Sequence, residues 1–398
     1  TGRDRPALDS AGPARHHVAM SALSGIIVAD FSRVLAGPLA SMTLGDLGAD
    51  VIKVEPPGGD ETRSWQPPTD PDGRSTYYLS VNRNKRSVRL DLKDPDDLAL
   101  ARELTDRADV LIENFRPGTM ARFGLDWERV HASHPTLVYC SITGFGEKRG
   151  AGLPGYDPLV QALSGLMSVT GPPEGEASKV GVALVDVVAG LNAAVGILAA
   201  LKDRDRTGAG QRIEVDLLSS ALAALANQSS AFLNTGRSPG RLGNVHPSIE
   251  PFATYRTADV PLMICAGNDR QFHELAIAIG APELNEDERF DGNSLRVRNR
   301  KALRAELERR LELDSAAYWA ETLNAVGVPA GPVNDIGAGF RLADSLGLDP
   351  VDEVEGVRTA RSPLRLSATP TGARLPPPGL DQQGEAIREW LRTPYKPG

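Results

Sequence analysis

The chain has 398 residues, 41% of them hydrophobic and 24% charged, enough to bury a large core in about two domains. A formal net charge of −8 argues against a general nucleic-acid or membrane-surface role, so any polyanion must meet a local basic patch. Cys140 and Cys265 stand singly in apolar runs, which points to neither a disulfide framework nor a metal site, and a reducing cytoplasm fits.

Residues 1–19 carry charges and prolines but no apolar core of a signal peptide. We read them as a disordered or non-native extension, with Met20 as a natural start. From Ser24 onward, β-branched runs alternate with helical stretches. "GIIVADF" reads as a strand, followed by the helix "AGPLASMTLGDLGA", with Gly37 in the turn and Pro38 at the first helical position. The strand "DVIKVE" follows, then "SVRLDL", the helix "PDDLALARELTDRA", the strand "DVLIEN", short helices through "WERVHAS", and "LVYCSITGFG". Strand and helix in alternation predict a largely parallel sheet covered on both faces, an α/β class. In "YDPLVQALSGLMS", Asp157 reads as an N-cap and Pro158 as N1.

The stretch "KVGVALVDVVAGLNAAVGILAAL" (179–201) is long enough to be screened as a membrane span. Its Ala/Gly content, its lone Asp186 and the lack of a companion span argue for a buried strand end running into a buried helix. "GQRIEVDL" then leads into one helix, "LLSSALAALANQSSAFLN". A Pro/Gly-rich loop (235–252) opens a smaller α+β domain with strands "FATYRT" and "PLMICAG". The expected division is a large domain over 20–225, completed by 340–398, and a small domain over 226–339.

Several motifs carry a chemical reading beside an ordinary one. The first strand–helix–strand unit suggests a dinucleotide site, but its turn, "RVLAGP", lacks G-x-G-x-x-G and weighs against a nicotinamide enzyme. "NRNKRSVRLDLK" gathers Arg83, Lys85, Arg86, Arg89 and Lys93, as either a solvated face or a phosphate patch. "ENFRPGTMARFG" leaves a strand end, where parallel sheets bind ligands, yet an ordinary turn explains it as well. Asp186 reads as the N-cap of its helix. The same place suits a nucleophile, held ionised by amide donors and stripped of water by apolar neighbours. Neither H-E-x-x-H, paired C-x-x-C nor a Ser/His triad pattern is present.

Five ordered blocks carry a resemblance: "LSGIIVADFSRVLAGPLASMTLGDLGADVIKVEPPGGDETR", "NRNKRSVRLDLK", "VLIENFRPGTMARFGLDWE", "GYDPLVQALSGLMSVTG" and "RTGAGQRIEVDLLSSALAAL". Together they resemble the family III CoA transferases, a family that includes formyl-CoA and carnitine CoA-transferases and has α-methylacyl-CoA racemases as relatives. The resemblance is strongest over 23–220 and continues through "GNVHPSIEPFATYRTAD" and "GNDRQF". It implies a Rossmann-like large domain that binds CoA and a small domain that covers the active site. It also implies an obligate homodimer of interlocked rings in the cytoplasm, with neither nucleic acid nor membrane as partner. Acyl-CoA and a small carboxylic acid would be the substrates, with no tightly bound cofactor and no metal.

By the same resemblance, Asp186 in "GVALVD" is the catalytic nucleophile, and the amides near Ala36 and Gly37 are oxyanion donors. The implied CoA contacts are Arg33, Ala36, Leu90, Lys93, Asn114, Arg122, Phe123 and Tyr156. This chain also departs from its relatives. Pro56 stands where some members place a phosphate-binding arginine, leaving Lys53, Arg63 or the basic run to substitute. Leu35 replaces the glutamine of formyl-CoA transferases, and their run of glycines in the small domain is missing, which argues against oxalate/formate exchange. Tyr156 stands where the racemases carry histidine. A phenol with an ordinary pKa of about 10 shuttles protons poorly at neutral pH, which favours transfer over racemisation. The alternatives that remain are an acyl-CoA racemase or epimerase and a non-catalytic CoA-binding protein. Arg237, Arg241 and His246 are candidates to hold a second carboxylate of the acceptor, or else ordinary residues of a solvated loop.

Overall fold

The computed structural model describes residues 21–394, so the extension expected over 1–19 lies outside the described residues. The chain forms two compact units. The first contains 21–143, 190–215 and 351–394 of the described chain, and the second 144–189 and 216–350. Segment 144–189 therefore groups with the residues after 216, where the sequence reading placed it inside 20–225.

In chain order, the elements that matter for the site are β1 (Ile27–Asp30), α1 (Ala36–Asp46), β2 (Asp50–Glu55), β3 (Lys85–Arg89), α2 (Pro95–Arg107), β4 (Val110–Glu113), β5 (Val138–Thr143), α3 (Asp157–Leu163), α4 (Leu184–Thr207) and β6 (Arg212–Asp216). The strands form one parallel sheet in the order β3-β2-β1-β4-β5-β6. This is the order of a doubly wound nucleotide-binding sheet, whose ligand crevice lies beyond the carboxyl ends of the strands where the order reverses. Here the reversal falls between β1 and β4.

Local chemistry explains the elements. Pro95 opens α2, Asp94 caps the Asp96 and Asp97 amides, and Arg107 closes the helix near its negative end. The central strands are apolar on both faces: Val28, Ala29, Val110, Leu111 and Ile112 are fully buried, as a sheet covered on both sides requires. Ile387 and Leu391, on the helix Gly384–Arg392, join the same core.

The second unit has its own core. Strands β7 (Phe252–Tyr255), β8 (Leu262–Cys265) and β9 (Ala330–Pro332) pair antiparallel, and Phe272, Leu303, Leu307 and Trp319 pack with Tyr255 and Ile264.

Five local readings change. Asp157, expected as the N-cap of α3, is its first residue, with Tyr156 at the cap position and Pro158 second. Ala36 is the first residue of α1, so Pro38 is third rather than first. The strand expected as "SVRLDL" begins earlier, at Lys85. No strand forms over 179–183, and α4 begins at Leu184, so Asp186 is its third residue rather than its cap. The single helix expected over 217–234 breaks near Leu225, where Ala226 turns to φ 41°.

Candidate active site

The turn between β1 and α1 lies at the sheet's reversal point. Arg33 and Asn114, singled out from separate motifs, meet there. The Arg33 amide donates to Asn114 Oδ1 at 2.8 Å, and Asn114 Nδ2 returns a bond to the Arg33 carbonyl at 2.7 Å. Asn114 therefore holds the peptide of Arg33. The Arg33 guanidinium rests over the Phe115 ring and lies 3.3 Å from Glu61.

Beyond the turn, Ala36 and Gly37 open α1, and no side chain caps it. The first amides of a helix have no intrahelical acceptor, and an uncapped end presents them to a ligand. Gly37 is dictated by space: a Cβ there would stand 2.2 Å from that of Ser32. Gly190, on α4, is equally confined, since its Cβ would fall 2.6 Å from the Ala36 carbonyl oxygen.

The other candidates of this unit lie farther along the sheet's edge. Leu90 follows β3 and is buried, its amide bonded to the Glu55 carbonyl, whereas Lys93 is exposed. Arg122 is exposed and donates to Thr119 Oγ1 at 3.2 Å. Phe123, half-buried on the same short helix (Thr119–Phe123), packs on the large-unit core.

Much of the basic run is spent inside the fold, because β3 threads it into the sheet, and only its far end stays open to a phosphate. Lys85 is fully buried and donates to Asp30 Oδ2 at 3.1 Å, the Pro38 carbonyl and Asn82. Burial lowers its pKa to about 8, although Asp30 opposes the change. Arg83 forks onto Asp46 at 2.9 and 2.6 Å, and Arg86 onto Asp50. Arg89 and Lys93 are the exposed cations of the stretch. Lys53 and Arg63, the other phosphate candidates, are also committed. Lys53 is buried against Asp60, and Arg63 forks onto Glu55 at 2.8 and 2.7 Å. Period and charge count could not reveal the Arg83 and Lys85 pairings, because Asp46 and Asp30 lie 37 and 55 residues away in sequence.

In the second unit, Asp186 is 8% exposed in the first turn of α4. No cation pairs with it among the described residues. Its neighbour is another carboxylate, Asp157, which is 3% exposed. Asp157 is the first residue of α3 and caps the other helix: its Oδ2 accepts from the amides of Val185 at 2.7 Å and Asp186 at 3.2 Å. Gln161, one turn on, donates to Asp157 Oδ1 at 2.5 Å and accepts the Val180 amide at 2.8 Å. The capping role expected of Asp186 therefore belongs to Asp157, and the Asp186 carboxylate is left uncommitted. Burial raises its pKa to about 7, and the charge of Asp157 adds to the rise. The sequence leads one to expect helix-end amides to hold Asp186 ionised, but the Val185 and Asp186 amides bond to Asp157, and burial moves the pKa up. Spacing did contain a signal for Gln161, since Asp157 and Gln161 share a helix face.

Tyr156 precedes α3 and is 55% exposed. Arg241 donates to the Pro172 and Gly175 carbonyls, tying its loop to that earlier segment, and His246 accepts the Ser248 amide within its own loop. Arg237 is exposed. Among the described residues, no three His, Cys, Asp or Glu side chains are grouped to hold a metal ion. One helix, α4, is long and apolar enough to cross a membrane, a test that core helices also pass.

A buried carboxylate with a raised pKa marks a functional-site candidate in the second unit, and in the first the uncapped α1 lies at the reversal point where such sheets bind ligands. The model for CoA-transferase family III matches residues 23–384. The chain belongs to CoA-transferase family III. It is 41% identical over 390 residues to a succinate–glutarate CoA-transferase of Agrobacterium fabrum, covering 93% of this chain and 96% of that one. An acetyl-CoA:oxalate CoA-transferase of Acetobacter aceti is 40% identical over 374 residues, with the same shares covered. Among solved structures, a CAIB/BAIF family protein from Brucella suis is 42% identical with a TM-score of 0.86, covering 93% of this chain and 99% of that one. This family III member is an acyl-CoA:carboxylate CoA-transferase, with CoA thioesters as substrates.

Proposed function

We propose that Asp186 carries CoA between an acyl-CoA and a free acid through two kinds of covalent intermediate. An Asp186 oxygen attacks the thioester carbonyl, the C–S bond breaks, and an aspartyl–acyl anhydride forms with CoA leaving as thiolate. The thiolate attacks the aspartyl carbonyl, giving an aspartyl–CoA thioester and releasing the donor acid. The acceptor carboxylate attacks that thioester and expels the thiolate, which then takes the acceptor's acyl group and frees Asp186. Splitting one exchange into such steps is the logic of covalent catalysis.

The observation that carries this reading is the Asp186 carboxylate itself: buried, without a cation, and relieved of capping by Asp157. Burial also protects an anhydride from water. With a pKa of about 7, a substantial fraction of Asp186 is ionised at neutral pH and is a stronger nucleophile than an ordinary carboxylate. In the first unit, the open Ala36 and Gly37 amides at the start of α1 are CoA contacts. Arg33, Leu90, Lys93, Arg122, Phe123 and Tyr156 line CoA, and Asn114 acts by holding Arg33. The exposed Lys93 and Arg122 meet phosphate. The acids named for the two relatives above, succinate, glutarate and oxalate, are dicarboxylic, so the acceptor is a short dicarboxylic acid. An interlocked homodimer belongs to the same proposal, checked by sedimentation.

The test is mass spectrometry after incubation with acetyl-, succinyl- or glutaryl-CoA and then hydroxylamine. A hydroxamate at Asp186 is expected, with none in Asp186→Asn. Turnover without any modification of Asp186 overturns the mechanism.

A further inference from the structure

The β1–α1 turn contains a backbone conformation that the reaction steps above do not explain. Val34 lies at φ 69°, in the left-handed region, where a β-branched residue is an outlier. Such strain persists only where the surroundings over-determine it. They do so here. Lys53 Nζ donates to the Ser32 carbonyl at 3.0 Å and to Asp60 Oδ2 at 2.9 Å. The Val34 amide is shared between the Asp60 oxygens at 3.4 and 3.3 Å. Asp60 Oδ1 is anchored in turn by the Thr62 amide and hydroxyl, and Asn114 grips the intervening Arg33 peptide.

The Lys53 and Asp60 side chains are both fully buried. Burial disfavours each charge, yet the two outweigh it together: the Asp60 carboxyl lies below its ordinary range and the Lys53 ammonium above it. A buried ion pair adds little net stability over an apolar pair of similar shape, so stability is a poor reason for this one. Its geometry supplies another, because it spans both sides of Arg33, three residues before α1.

We infer that Lys53 and Asp60 are positioning residues for CoA: by holding Ser32 and Val34, they force the left-handed turn that aims the open Ala36 and Gly37 amides at the ligand. This rests on the transferase reading of the site. The pair touches neither substrate nor reacting atoms.

The test uses free CoA as probe, by calorimetry on the full chain, with the thermal midpoint recorded for each variant. Asp60→Asn, nearly isosteric, is expected to weaken CoA binding at least tenfold. Adding Val34→Gly should recover most of that loss, because glycine adopts positive φ without strain. Asn114→Ala grips the turn from the other side; it should show the same loss and the same rescue, and it replaces Asp60→Asn if that variant does not fold. CoA binding within twofold of wild type in folded Asp60→Asn overturns the clamp. So does a loss that follows the thermal midpoint and is not recovered by Val34→Gly. Wild-type protein that binds no CoA overturns the transferase reading and this inference with it, whereas binding unaffected by the variants removes the inference alone.

Discussion

The β1–α1 turn and the first turn of α4 treat buried charge in opposite ways. Around the β1–α1 turn, three buried carboxylates have a cation each: Asp30 has Lys85, Asp60 has Lys53 and Glu55 has Arg63. At the start of α4, Asp186 has no cation among the described residues and has Asp157 beside it. Asp30 shows the result of compensation, since burial raises its pKa but Lys85, Lys53 and two serine hydroxyls bring it below the ordinary range. Asp186 goes the other way, up to about 7. Paired charges build a frame, and an under-compensated one is left available for chemistry.

The contrast is broken most directly at its uncompensated end. Asp186→Asn should lower CoA transfer by at least about 10³-fold, as expected when a covalent nucleophile is removed, while free CoA still binds. In the frame, Gly37→Ala should cost about 10²-fold, because its Cβ overlaps Ser32 and misplacement of about 1 Å is enough for such a loss. Both are read from steady-state rates, and near-normal turnover in Gly37→Ala would show that the turn tolerates movement.

Stability tests the same contrast with a definite sign. Asp186 has a folded-state pKa of about 7 against an ordinary 3.8, so its ionisation weakens the fold progressively as pH rises from about 4 and fully above about 7. At about 1.4 kcal/mol per pKa unit, the penalty reaches a few kcal/mol. Asp186→Asn should therefore raise the thermal midpoint at pH 8 and change it little at pH 4. A gain equal at both pH values would remove the desolvation argument.

Asp157→Asn removes the neighbouring charge and should move the acid limb of the kcat/KM profile to lower pH, because a lone carboxylate ionises more readily. An unmoved limb would assign that limb to another group. The smallest effect is expected at the surface: Lys93→Ala should raise the KM for acyl-CoA severalfold, less so at high salt, where exposed charges are screened.

Much of the fold was legible in the chain. The alternating β-branched and helical runs of unit 1 become the parallel sheet, and "PDDLALARELTDRA" carries its helix's start and stop signals in its own residues. The site was legible in pieces. Asp186 stands out as the lone charge in an apolar stretch, and Arg33 and Asn114 lie after strands that end at the crevice. The basic run misled: Arg83 and Lys85 look like a patch until strand pairing places Asp46 and Asp30 against them, 37 and 55 residues away in sequence.

Most strands and helices of the sheet, and the carboxylate that stands alone among apolar side chains, follow from propensity and periodicity, which are local properties of the chain. Which charges are spent inside and which remain open depends on contacts across the fold. That Asp157 caps α4 in place of Asp186, and that Lys53 and Asp60 close on the turn at Val34, follow from side chains that meet across the fold. Solvation and pairing depend on those meetings, and no local reading of the chain contains them.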